Sequence, residues 1–226
     1  MKLRSLVRVG LVVCVAASQA ACVILPIADV KTSRDMSTPP TPSERGRKIA
    51  AVFSSDFAPS TTRGGGDRIV ACIRDAARRG LPDTTVLSSP QFYEAVFPGL
   101  TPEQVLLRED TVSALFTQPD IRARAERAGL DFLVLVGDKS ARRTEGGFWW
   151  ISFATWTTTA DMTATLIDLR GGRHVGTLRS RATGGGTIVA PLLIPLGGGN
   201  DPIRPTCRAL GEEVVRQIRG TSGDER

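Results

Sequence analysis

The sequence predicts an α/β domain, a mixed sheet of four to five strands with flanking helices in three or two layers. Three observations carry this. Phe132–Val136 is an unbroken apolar run, the pattern of a central strand covered on both faces. Segments 67–79 and 205–219, toward opposite ends of the chain, place apolar residues at three- and four-residue spacing, the pattern of helices lying on a sheet. Segments 161–169 and 174–182 are strands around Arg170-Gly171-Gly172-Arg173, the pattern of a hairpin.

In order, Lys2, Arg4 and Arg8 precede an apolar run at 9–17 and the small residues Ala20 and Ala21 ahead of Cys22. This is the layout of a secretory signal over 1–21, with a core too short for a permanent membrane helix. Ala-Ala-Cys resembles the lipobox of bacterial lipoproteins, which implies lipidation at Cys22. Gln19 stands where that motif usually has an aliphatic residue, so cleavage near Ala20 without lipid is the alternative. Residues 22–47, with Pro26, Pro39, Pro40 and Pro42 among polar residues, are expected to form an extended tether. A single α/β domain is expected over 48–220, and 221–226 is a loose polar tail.

Within that domain, 49–57 is the first strand. A Gly-rich loop at 61–66 leads to a helix over 67–79, with Asp67 as its cap and Gly80 as its stop. The loop lacks the GxxxxGK[ST] pattern, and Asp67 would set a negative charge where a phosphate would lie, which argues against phosphate binding. Segment 84–88 is a short strand. Ser89-Pro90 starts a helix to Phe97, Thr101-Pro102-Glu103 starts another through Phe116, and a third covers 120–128. The central strand at 131–137 follows. A two-residue turn in the hairpin would set polar against apolar faces, whereas a three-residue bulged turn aligns Met162, Ala164 and Leu166 with Leu178, Ser180 and Ala182.

Removing the leader takes three cations and leaves +3 of the formal +6 charge. The remaining basic residues are mixed with acids, so no nucleic-acid groove is indicated. Beyond Cys14 and Cys22, two cysteines remain. Cys72 and Cys207 lie on the inward stripes of the first and last helices, and in an oxidising compartment a disulfide joins them if those helices pack side by side; two buried thiols are the alternative. One histidine, His174, offers too little for a metal site, and beside the turn it is expected to be exposed and without a catalytic partner.

Phe148, Trp149, Trp150, Phe153 and Trp156 hold every tryptophan of the chain within nine residues. Residues 188–196, including Leu192, Leu193 and Ile194, are equally apolar, and Pro191 and Pro195 argue against an ordinary central strand there. Counting from the turn brings both segments to one end of the hairpin. They are either core or an apolar rim that meets a partner or the bilayer, where tryptophan suits the boundary of greasy and wet surroundings. No GxSxG, HExxH, CxxC or dinucleotide fingerprint occurs. Asp138-Lys139-Ser140, after the central strand, is read as solvated turn chemistry rather than a Ser-Lys nucleophile.

The order strand, helix, strand, helical crossover, central strand, hairpin and final helix, with Leu166-Ile167-Asp168-Leu169-Arg170-Gly171-Gly172, resembles three envelope domains. These are the α/β domain of the Tol-system propeller protein, the outer-membrane lipoproteins that activate penicillin-binding proteins, and the curli-secretion lipoproteins. The resemblance implies a non-enzymatic, cofactor-free accessory protein of the cell envelope, lipid-anchored at the outer membrane and facing the periplasm, that docks onto another envelope protein. In the curli-secretion relatives the positions of 138–156 and 184–200 supply membrane strands. An oligomeric channel subunit is therefore the alternative, although these segments are shorter and interrupted by proline. A hydrolase using Asp138–Ser140 is a third reading.

Overall fold

The computed structural model describes residues 24–25, 30–36, 48–54, 65–146, 152–190 and 201–220. The expected leader over 1–21, Cys22 and the expected tail over 221–226 lie outside them. In chain order the elements are β1 (Ile24–Leu25), β2 (Lys31–Met36), β3 (Lys48–Phe53), α1 (Gly65–Gly80), β4 (Thr85–Leu87), α2 (Ser89–Val96), α3 (Val112–Phe116), α4 (Pro119–Arg127), β5 (Phe132–Asp138), β6 (Ala141–Gly146), β7 (Ser152–Asp168), β8 (Arg173–Ala190) and α5 (Ile203–Arg219). The chain divides into two compact units.

The larger unit comprises residues 30–140, 160–181 and 203–226. Its sheet runs β2-β8-β7-β5-β3-β4, with β3 parallel to β4 and β5, and β5 antiparallel to β7. The apolar run of β5 is central as expected, because alternate residues serve two cores. Val134 and Val136 join Ile69, Ile73, Leu210 and Val214 of α1 and α5 on one face. Leu133 and Leu135 join Phe92, Phe116 and Ile121 of α2, α3 and α4 on the other. The architecture is thus α/β in three layers, and a strand wholly buried on both sides needs no polar alternation.

Local chemistry explains the element ends. The first helix starts at Gly65, so Asp67 occupies its first turn, where a carboxylate still favours the positive end of the helix dipole. Ser88, one residue earlier than expected, caps α2 in a reciprocal capping box with Gln91. The helix expected from Thr101 begins only at Val112. The intervening chain buries Val105 and Leu107 and exposes Leu106, a two-residue alternation that a helix cannot satisfy. The hairpin turns over Leu169–Gly172, with Gly172 at φ 61°, the left-handed conformation that a glycine bulge requires. The faces align as expected: Met162, Ala164, Leu166 and Leu178 share one core, while the Thr165 and Thr177 hydroxyls approach to 3.4 Å on the opposite face.

Part of the expected tether is sheet. Lys31–Met36 pairs antiparallel with β8, from Lys31 opposite Arg181 to Met36 opposite Gly176. Its polar sequence hides it from pattern reading, yet an edge strand needs only backbone partners on one side and tolerates exposure on both faces. Cys72 and Cys207 are joined by a disulfide with a Cα–Cα separation of 6.3 Å. It links α1 to α5, whose close approach depends on Gly211; a Cβ there would meet that of Ala76 at 2.6 Å.

The smaller unit comprises residues 1–29, 141–159 and 182–202. Its described strands lie in the order β1-β8-β7-β6, through the 182–190 part of β8 and the 152–159 part of β7. Ile24 stands opposite Gly186 and Leu25 opposite Gly185, while Ala141 stands opposite Thr159 and Gly146 opposite Ala154. A side chain at Gly185 would collide with the carbonyl of Trp156, so glycine permits this strand pairing.

Candidate docking surface

Of the residues in the expected apolar rim, Phe153 and Trp156 lie in β7. Phe148, Trp149, Trp150, Leu192, Leu193 and Ile194 lie outside the described residues. β8 continues to Ala190, so Ile188–Ala190 is strand despite the following proline. Trp156 is half-buried, and its cross-strand neighbour on β6 is Thr144. The Arg142 guanidinium stands 6.0 Å from the centroid of its ring, the geometry of a cation–π contact. Arg142 and Arg143 are exposed on β6. The pairing sets an exposed cation against the face of a half-buried aromatic ring.

The Asp138–Ser140 turn lies in the larger unit and has a structural use. Ser140 donates its backbone N–H to Asp138 Oδ1 at 2.8 Å, and its Oγ accepts the backbone N–H of Asp161 at 3.1 Å. The Lys139 N–H donates to the Asp161 carbonyl at 2.8 Å. The serine oxygen that a nucleophilic mechanism would use is thus seated against the backbone of β7.

Asp161 is itself the centre of a charged group. Arg179 donates Nε–H to its Oδ1 at 2.7 Å and Nη2–H to its Oδ2, a bidentate pair. These bonds hold the Asp161 carboxyl below the usual carboxylate range against the opposing effect of burial, with Arg179, Arg181 and Lys139 adding their charge. Sequence reasoning missed this group. Both strands of the hairpin were legible, but not the register that brings Arg179 to Asp161.

Two more buried carboxylates organise the hairpin end. Asp168 Oδ1 accepts the N–H groups of Arg170 and Gly171 at 3.0 and 3.1 Å, and Asp131 Oδ2 accepts that of Lys48 at 2.8 Å while its other oxygen pairs with Arg170. His174, expected to be exposed, is half-buried with Nε2 3.3 Å from Thr177 Oγ1. Glu109 Oε1 accepts from both Thr165 and Thr177 at 2.9 Å. Among the described residues no cluster of three or more His, Cys, Asp or Glu is arranged to hold a metal, and no helix is long and apolar enough to cross a membrane. The latter says nothing of crossing by strands.

No family model and no curated protein matches the chain. Among solved structures it is similar in layout to the PelC dodecamer from Paraburkholderia phytofirmans, at 10% identity over 84% of this chain and 98% of that one, with a TM-score of 0.46. The C-terminal domain of LpoB from Salmonella enterica is similar at 12% identity over 63% and 86%, with a TM-score of 0.38. A lipoprotein from Neisseria meningitidis is similar at 13% identity over 77% and 99%, with a TM-score of 0.36.

Proposed function

We propose that this protein is a lipid-anchored module of the bacterial cell envelope that works without catalysis, by docking onto another envelope protein. The leader ending at Cys22 supports the location, with the outer membrane facing the periplasm as the destination. The contact residues in this reading are Phe153 and Trp156 of β7, with Phe148, Trp149, Trp150, Leu192, Leu193 and Ile194. The observation that carries this reading is the setting of Trp156: half-buried on a strand ribbon with a guanidinium at its face, it combines apolar area with a polar handle.

Photocrosslinking in cells from position 150, followed by identification of the captured protein, tests the docking. Capture of one envelope protein, lost in Trp150→Asp while the variant stays folded, supports it. Unfolding of Trp150→Asp would instead make this end core. Metabolic acyl labelling that disappears in Cys22→Ala tests the anchor.

A second reading has its own support. Because β8 runs on to Ala190, the 182–190 and 152–159 segments are longer paired strands than their sequence suggested, which is the raw material of a membrane-inserting oligomer. Ring assembly dependent on detergent would favour that channel reading over a docking module.

A further inference from the structure

We infer that the outer edge of β2 pairs antiparallel with the same strand of a second copy of this chain, with Ser33 on the two-fold axis. The strand pairs with β8, and among the described residues no strand lies along its other side. Lys31–Asp35 are all exposed. An edge strand of this kind offers a row of backbone N–H and C=O groups to an added strand.

The charges along β2 select the occupant. Lys31, Ser33 and Asp35 alternate onto one face, and four residues of strand hold Lys31 about 13 Å from Asp35, too far to pair within one copy. Neither side chain is in an ion pair among the described residues. Antiparallel self-pairing about Ser33 sets Lys31 of each copy opposite Asp35 of the other, and the two-fold axis makes both pairs at once. Sliding the copies by two residues loses both pairs, and in one direction it sets Arg34 against Arg34. Lysine on an edge ordinarily deters strand addition; in this arrangement it specifies a single register. The pairing uses the same edge of both copies and closes on itself, so it builds no ring and differs from the channel reading.

The test uses the purified chain from position 22 carrying Cys22→Ser. Under mild oxidation Ser33→Cys should give a disulfide-linked dimer, because directly opposite residues lie about 4.5–5.5 Å apart, within the span of that bond. Lys31→Cys should not, since its two copies would stand about 13 Å apart along the strands. In sedimentation velocity over a concentration series, Lys31→Glu and Asp35→Lys should each weaken the dimer about 10-fold, because the axis repeats each change. Lys31→Glu sets a carboxylate opposite Arg181 in its own sheet, so the loss does not come from a weakened fold. Mixed together, the two variants should associate, as each gives the other two pairs of opposite charge. Equal crosslinking from positions 31 and 33, a chain that is monomeric at every concentration, or variants that stay apart on mixing would each overturn the proposal. With no lipid and no other protein present, the outcome is independent of the anchor and of the proposed docking.

Discussion

Arg34 Nε on β2 lies 3.3 Å from Glu213 Oε1 on α5, and this ion pair ties a strand from the expected tether to the last helix of the larger unit. Glu213 is buried, also accepts the Gln217 amide at 2.8 Å and pairs with Arg216 one helical turn on. Glu213→Ala should cost about 2–3 kcal/mol, because buried donors lose their acceptor. Arg34→Ala should cost less than about 1 kcal/mol, since its side chain is 39% exposed and water screens the pair. Urea denaturation separates the two. Faster amide exchange confined to 31–36 in Arg34→Ala would identify the ion pair as what holds the edge strand.

The Cys72–Cys207 bond closes a sequence separation of 135 residues. On the chain-entropy model, removing it should destabilise the fold by about 3–5 kcal/mol. Denaturation of the oxidised protein, the reduced protein and the Cys72→Ser/Cys207→Ser double variant measures this. Matching midpoints in oxidised and reduced samples would show that helix packing alone holds α1 against α5.

Acid should weaken the larger unit through Asp161. Its folded-state pKa lies below the unfolded value, chiefly because of the hydrogen bonds from Arg179. The stabilisation is therefore complete at neutral pH and is lost as pH falls through the folded value. Asp161→Asn should lower stability at pH 7 and remove that part of the acid dependence. Unchanged pH profiles of unfolding between the two proteins would count against the pair.

Tyr93 is the chain's single tyrosine, so its ionisation can be followed in the ultraviolet without ambiguity. Burial, with a smaller contribution from Glu103, pushes its pKa up to about 12. The native protein should show no phenolate near pH 10, where an exposed tyrosine titrates. A midpoint near 10 in the folded protein would mean that α2 does not close over the ring.

Much of the larger unit was legible because its signals are local. The apolar run of β5 and the stripe Cys207, Leu210, Val214 and Ile218 of α5 each declare a period within a few residues. The Asp161–Arg179 pair was illegible for a different reason. It joins two positions of a hairpin whose register depends on how the turn at Leu169–Gly172 is built, and counting along the chain cannot supply that.

The sequence by itself determined the α/β class, the central strand and the two helices that the disulfide joins. In each, short-range spacing or composition states the environment that the residues require. Only the tertiary structure decided that Lys31–Met36 is a strand, that 101–111 is mainly irregular and that β8 runs to Ala190. Those outcomes are set by backbone hydrogen bonds to a distant partner and by which alternate side chains that partner can bury, and neither leaves a periodic trace in the segment itself.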